Sequence, residues 1–106
     1  MQEKILKQIE DIIVSAKLEP VCNFNYANTG KIYIQRPNMN QILGIIGFSF
    51  DTSHADLTLN IKGKFMPPQQ NRDDYFNWYI EYSTDLKGHE LITRFLYTLK
   101  AEVYKL

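Results

Sequence analysis

The residues best suited to chemistry surround one of the two histidines of this sequence. His54 lies in the segment Asp51-x-x-His54-x-Asp56. An imidazole between carboxylates can bind a metal ion, and the same groups can orient each other for acid–base catalysis. The alternative is a simple turn, in which Asp and Ser side chains bond to their own backbone. The turn is favoured, because no second set of strong ligands lies nearby in the sequence.

The other histidine and the single cysteine have no local partner. His89 precedes Glu90 in the first turn of a predicted helix, where a glutamate complements the helix dipole. A catalytic His89 would need a partner that only the fold could bring near. Cys22 has no neighbouring base or cation to lower its pKa, as a nucleophile requires. We therefore expect Cys22 to be a small buried hydrophobic residue.

Known catalytic and cofactor-binding motifs are absent from the sequence. Asp73 and Asp74 are adjacent, but a hard cation needs several more oxygen ligands, and a solvated start of a strand is the simpler interpretation. Glycine-rich phosphate loops, a nucleophile elbow and a His-Glu-x-x-His pair are all missing. The sequence therefore predicts a protein that is not an enzyme and that has no metal site and no cofactor.

Helices at the two ends of the chain and strands between them must position these residues. Apolar spacings of three and four predict a helix over residues 2–18, ended by Pro20, and a second helix over residues 86–104. Gly30 is expected to supply a positive φ in a turn at residues 28–30. Alternating patterns predict strands within residues 21–36 (a hairpin of two strands), 41–50, 56–62 and 75–82, with a loop at 66–74.

This order predicts an α+β fold in which an antiparallel sheet of about five strands carries the N-terminal and C-terminal helices on one face. The connections are short, so the strands should be antiparallel, and the other sheet face should be largely open to water. The 106 residues fit a single domain, 1–106. The architecture resembles small proteins such as secretion chaperones and toxin-immunity proteins, but no residue motif carries the resemblance and no site is transferred.

The charge balance limits the possible partners. Twelve Lys and Arg residues match twelve Asp and Glu residues, so the net charge is zero. Binding to nucleic acid or to an anionic membrane is favoured by an excess of positive charge, which makes both partners less expected here. The first residues are interrupted by charges and lack the apolar stretch of a signal peptide, so we expect a cytoplasmic protein without a membrane span.

The open sheet face is predicted to be an apolar, tyrosine-rich patch with a polar rim. Tyrosine is enriched at protein interfaces, because it combines a large contact area with a hydrogen-bonding tip. Alternatively, the 66–74 loop or a helix covers this face, or a homodimer buries it. The predicted partner-binding residues are Tyr33, Leu43, Ile45, Tyr75, Asn77, Tyr79, Asp73 and Asp74.

These features favour a non-enzymatic protein-binding protein. The most concrete form is a small cytosolic inhibitor, such as an immunity protein that neutralises a toxin domain by direct binding. The partner would be that protein or a second copy of the chain. The alternative is a small-molecule or nucleic-acid binding module, in which the tyrosines stack on bases beside Lys31 and Lys62. An enzyme that uses His54 or His89 is a third hypothesis.

Overall fold

The chain folds as a helix, an antiparallel sheet and a second helix. A computed structural model describes residues 2–26, 28–66, 77–82 and 85–106, with only the main chain for Tyr26 and residues 85–89. The predicted α+β fold and its order of elements are confirmed. The elements are α1 (Gln2–Ser15), β1 (Glu19–Tyr26), β2 (Thr29–Gln35), β3 (Ile42–Phe50), β4 (His54–Ile61), β5 (Lys64–Phe65), β6 (Asn77–Glu81) and α2 (Asp85–Val103).

The sheet has one long edge and one divided edge. Its strands follow the order β1-β2-β3-β4, and both β5 and β6 pair with the far side of β4. β6 pairs with residues 54–58 of that strand, and β5 pairs with residues 60–61. β1, with eight residues, therefore forms one edge alone, whereas two shorter strands share the other edge.

The short strand β5 lies outside the predicted strands, because its turn has an unusual sequence. Lys62 and Gly63 have φ angles of 53° and 84° and join β4 to β5 in a two-residue hairpin. Such turns favour Asn-Gly, whereas a lysine rarely adopts a positive φ. The side-chain oxygen of Asn60 accepts a hydrogen bond from Gly63 N–H at 3.1 Å and closes this turn.

Helix α1 ends slightly earlier than predicted, in a C-terminal cap. Leu18 N–H donates to Ile13 C=O at 3.2 Å, and Lys17 N–H donates to Val14 C=O at 3.0 Å. Lys17 has a φ of 65°, so it occupies the left-handed position of a Schellman motif, where glycine is usual.

The core lies between the helices and one face of the sheet. The Trp78 ring packs edge-on against Phe95, at a centroid distance of 5.5 Å, and its indole N–H donates to Met66 C=O at 3.1 Å. Both helices thus cover the same sheet face, as predicted. Core residues no more than 1% exposed include Ile5, Ile9, Ile13, Ile32, Ile34, Ile46, Leu57, Leu59, Trp78, Ile80, Phe95 and Leu99.

A β-bulge in β3 reverses the predicted faces of its first residues. Gln35 pairs with Ile42, whereas Ile34 pairs with Gly44, so Leu43 is the extra residue. Leu43 is 5% exposed and belongs to the core, but Ile42 is 49% exposed. The prediction that Leu43 shares the open face with Ile45 is therefore wrong, because it counted strict alternation through the bulge.

Two predictions near the first hairpin are also wrong. Asn28, not Gly30, has the positive φ, at 71°. Gly30 lies inside β2, where a Cβ would come within 2.9 Å of the Phe48 ring, so the glycine permits close packing. Cys22 is exposed rather than buried, because β1 is an edge strand that the helices do not fully cover.

Candidate functional site

The candidate site is the open face, by which we mean the sheet face opposite the two helices. Antiparallel pairing places residues of neighbouring strands side by side, and one such row crosses the whole sheet. Neighbouring strands lie about 4.8 Å apart, so a row of five residues spans roughly 19 Å. This row consists of Val21, Tyr33, Ile45, Asn60 and Phe65.

An apolar ladder, defined as Val21, Tyr33, Ile42, Ile45 and Phe65, occupies this end of the open face. Val21, Phe65 and Ile42 are 37%, 47% and 49% exposed. Ile42 lies in the neighbouring row of the same face, because it pairs with Gln35, two residues along β2 from Tyr33. Asn60 separates Ile45 from Phe65 in this row, so Val21, Tyr33, Ile45 and Ile42 form the continuous part of the ladder. Apolar surface that helices leave uncovered is typical of a binding site.

The middle of the open face is shallow. Gly47 has no side chain, and its N–H donates to the Thr58 hydroxyl oxygen at 3.1 Å. A Cβ at this glycine would lie 2.5 Å from that oxygen. Gly47 and Thr58 belong to a second cross-strand row, which continues to Lys31 on β2 and to Asn77 on β6. This low strip separates the apolar ladder from a second group of side chains.

The second group is a histidine cluster, defined as Asp51, His54, Asp56 and Tyr79. His54 Nδ1 lies 3.8 Å from the Asp51 carboxylate, and Nε2 lies 3.7 Å from the Asp56 carboxylate. The imidazole also packs on the Tyr79 ring, with centroids 4.9 Å apart. The fold therefore brings together the three residues of the Asp-x-x-His-x-Asp segment and adds an aromatic neighbour from β6.

The Asp51 side chain bonds to the backbone of its own turn, as the turn interpretation predicts, whereas the Ser53 hydroxyl contacts the His54 ring. Asp51 N–H donates to His54 C=O at 2.8 Å, and Thr52 N–H donates to the Asp51 carboxylate at 2.6 Å. These bonds tie the aspartate to its own turn. In the described residues, no three His, Cys, Asp or Glu side chains are grouped closely enough to hold a metal ion.

Acid–base geometry in the histidine cluster is loose. The Ser53 hydroxyl lies 3.3 Å from His54 Nδ1, and Asp56 is 3.7 Å from the other ring nitrogen. A carboxylate that orients a catalytic histidine lies within hydrogen-bond reach, at about 2.6–3.2 Å. The polar groups around His54 lie beyond that range, at 3.3–3.8 Å, with exposed Tyr79 at the margin of the cluster.

The charges on the open face favour a basic partner. In the described strands, the carboxylates of Glu19, Asp56 and Glu81 lie on this face with the ammonium group of Lys31, while the exposed Lys62 lies in the turn after β4. His54 pairs with Glu81 across β4 and β6, so the excess of carboxylates is concentrated at the histidine cluster. Complementary charges at an interface speed association and select the partner.

Two groups on the helix-bearing side of the sheet have raised pKa values. Burial raises the pKa of the Tyr82 hydroxyl, and the Asp51 carboxylate adds to this effect. That hydroxyl has no hydrogen-bond partner among the described residues. Cys22 is exposed as a residue, but partial burial raises the pKa of its thiol, with a further contribution from Glu10 on α1. Both groups are therefore neutral near pH 7, and neither is an activated nucleophile.

The predicted partner-binding residues have three different outcomes. Tyr33, Ile45, Asn77 and Tyr79 lie on the open face, whereas Leu43 lies in the core. Tyr75, Asp73 and Asp74 lie outside the described residues. The side chain of His89, which the enzyme hypothesis invoked, also lies outside them.

Sequence reasoning missed three members of the apolar ladder. Val21 could have been assigned from its alternation with Cys22, but Ile42 depended on the bulge. Phe65 depended on a hairpin whose turn carries no usual signal.

Membrane and family comparisons complete the description of the chain. None of the helices in its described part has the length and apolar character needed to cross a membrane. Comparison of the chain with known protein families, with curated proteins and with solved structures finds no match.

Proposed function

We propose that this protein is a non-enzymatic protein-binding protein whose open face docks a partner. The observation that carries the proposal is the apolar ladder, whose members Val21, Ile42 and Phe65 are more than one-third exposed on the sheet face without helices. Full burial of an isoleucine or phenylalanine contributes about 1.5–3 kcal/mol. Covering these half-exposed side chains therefore contributes several kcal/mol, enough to form the centre of a specific interface.

We further propose that the partner presents an apolar patch beside a basic one. The ladder would contact the apolar patch, and the carboxylates near the histidine cluster would contact lysines or arginines. A cytoplasmic inhibitor, such as an immunity protein that covers a toxin domain, would bind such a partner through an apolar patch beside carboxylates. Asp51 and Asp56 then supply local negative charge despite the zero net charge of the chain. An exposed free thiol at Cys22 is compatible with a reducing cytoplasm.

The binding module for nucleic acids or small molecules receives less support. Tyr33 and Tyr79 are on the open face with Lys31, which would suit base stacking. However, Asp56 pairs directly with Tyr79, and its carboxylate would repel a phosphate backbone. A protein partner accommodates the apolar ladder and these carboxylates together.

Site-specific photo-cross-linking tests the proposal. A benzophenone amino acid replaces Ile42 on the ladder or, as a matched control, Val14, which is 57% exposed on α1. Illumination in the native host should link position 42, but not position 14, to one defined protein. Equal cross-linking at both positions, or links from position 42 to nucleic acid alone, would contradict the proposal.

The inhibitor form has its own test. Any toxin gene found next to this gene is expressed in a sensitive host together with the wild-type protein, Ile42→Asp or Val14→Asp. The proposal predicts growth with the wild type and Val14→Asp, and loss of protection with Ile42→Asp. Protection by none of the three would reject the toxin-inhibitor form, while the cross-linking result would still stand for protein binding.

A further inference from the structure

His54 places on the open face a side chain of the type that gains a proton near neutral pH. Imidazole is ordinarily the side-chain group that changes its charge between pH 5 and 8. The His54 side chain is 24% exposed, so water reaches the ring. It begins β4 on the same face as Asp56, and Ala55 between them is buried on the other side. A charge on this ring therefore lies at the surface where the proposed partner docks.

Each nitrogen of the ring has a carboxylate beside it. Asp51 lies 3.8 Å from Nδ1, and Asp56 lies 3.7 Å from Nε2. A neutral imidazole carries one N–H and one lone pair, whereas an imidazolium carries two N–H groups. The neutral ring therefore presents an N–H to only one of the two carboxylates at a time, whereas the protonated ring presents a positively charged N–H to both.

The neighbouring strand adds another carboxylate to the surroundings of the ring. Glu81 on β6 pairs with His54 on β4, while the Ser53 hydroxyl and the Tyr79 ring contact the imidazole. Lys31 lies on the same face, but its cross-strand row is four residues along β4 from His54, more than about 13 Å away. That distance exceeds the Debye length of about 8 Å at physiological salt. Lys31 therefore has little influence on the charge around the ring.

A partner seated on the apolar ladder also covers this ring. The row that contains Asn60 and Phe65 lies six residues along β4 from His54, about 20 Å away. Because that row spans roughly 19 Å, the surface from the ladder to the ring measures about 400 Å². A standard interface covers about 800 Å² on each partner. The basic patch proposed for the partner therefore lies over the carboxylates beside His54.

From this geometry we infer that protonation of His54 weakens docking of the basic partner. The inference rests on the proposed function and adds its regulation by pH. The imidazolium places a positive charge within 3.8 Å of two carboxylates that bind the partner's lysines or arginines. Two like charges about 5 Å apart repel each other enough to change an equilibrium constant several-fold, even in bulk water. The complex should therefore be tighter at pH 8 than at pH 5.5.

Titration calorimetry at pH 5.5 and pH 8 tests this inference, with the protein cross-linked from position 42 as the ligand. The Kd is measured for the wild type and for His54→Asn, whose amide is neutral at both pH values. When the pH falls to 5.5, the Kd of the wild type should rise at least about threefold more than the Kd of His54→Asn. His89 and the partner are the same in both measurements, so their titration cancels in the comparison. Equal changes for the two forms would overturn the inference and leave the proposed function in place.

Two further variants separate the charge from the shape of the side chain. His54→Lys carries a positive charge at both pH values, and His54→Gln carries none, so His54→Gln also replaces His54→Asn if that variant does not fold. At pH 8, His54→Lys should bind the partner at least about threefold more weakly than His54→Gln. Equal affinity of these two variants at pH 8 would overturn the inference. If no protein binds at either pH, the proposed function fails and this inference fails with it.

Discussion

The clearest test of the sheet geometry compares alanine substitutions at Ile42 and Leu43. The two residues are adjacent and similar in size, and the bulge reverses which of them faces the core. Strict alternation would bury Ile42 and expose Leu43. The structure has the reverse arrangement, with exposures of 49% and 5%. Stability measurements on the two variants therefore report which side chain belongs to the core and which to the open face.

The expected magnitudes are well separated. Removing a buried leucine side chain costs about 2.7–5 kcal/mol, because it loses transfer free energy and leaves a cavity. Leu43→Ala should therefore lower the free energy of unfolding by about 3 kcal/mol. Ile42→Ala should cost less than about 1 kcal/mol, because half of this side chain is already in contact with water.

Urea denaturation followed by Trp78 fluorescence measures this difference. With an m-value of roughly 1.5 kcal/mol/M, Leu43→Ala should lower the unfolding midpoint by about 2 M, and Ile42→Ala by less than about 0.7 M. The indole is buried and should report loss of the core. Equal losses, or a larger loss for Ile42→Ala, would refute the bulge and the face assigned to Ile42.

Three further predictions address local features. Lys17→Gly should raise the free energy of unfolding by about 0.5–1 kcal/mol in thermal melts, because glycine tolerates the left-handed cap position. Unchanged or lower stability would contradict the Schellman cap. Gly47→Ala should lower the free energy of unfolding by about 1–3 kcal/mol in urea melts, because the new Cβ would overlap the Thr58 hydroxyl. Adding Thr58→Ala should recover part of this loss, whereas additive losses would argue against that contact. Alkylation of Cys22 should reach half of its maximal rate at a higher pH than alkylation of a free cysteine peptide, because partial burial and Glu10 both raise the thiol pKa. Glu10→Gln should lower that pH. A midpoint at or below that of the peptide would contradict these causes.

The raised pKa of Cys22 also fixes the direction of its effect on stability. A thiol whose pKa is higher in the folded state than in the unfolded chain favours folding while it is protonated. Its contribution is fully present below the ordinary thiol pKa and is lost as the pH rises through the raised value. Cys22→Ser should therefore reduce the loss of stability at alkaline pH.

Much of the fold followed from apolar spacing alone. The stripe of Ile5, Ile9 and Ile13 predicted α1, and alternation of Leu57, Leu59 and Ile61 predicted β4, because both patterns arise from burial of one side. The bulge could not be located in this way, because one extra residue in β3 leaves the composition unchanged and only moves Leu43 to the other face.

The site was less predictable than the fold, because it depends on neighbours that are distant in the sequence. Tyr79 reaches His54 only through the pairing of β6 with β4. The exposure of Cys22 depends on how far the helices extend over β1, which no local pattern records. Spacing within the Asp51–Asp56 segment, by contrast, was enough to bring its two carboxylates to the same imidazole.

The most direct test of the proposed function is the dissociation constant of the cross-linked partner, once purified, for three forms of this protein. Isothermal titration calorimetry compares the wild type with Ile42→Asp and Val14→Asp, after melts confirm that both variants fold. Loss of about 1.4 kcal/mol weakens binding tenfold. We predict a Kd at least tenfold higher for Ile42→Asp and within twofold of the wild type for Val14→Asp. Equal Kd values for the two variants, or a larger loss for Val14→Asp, would contradict docking on the open face.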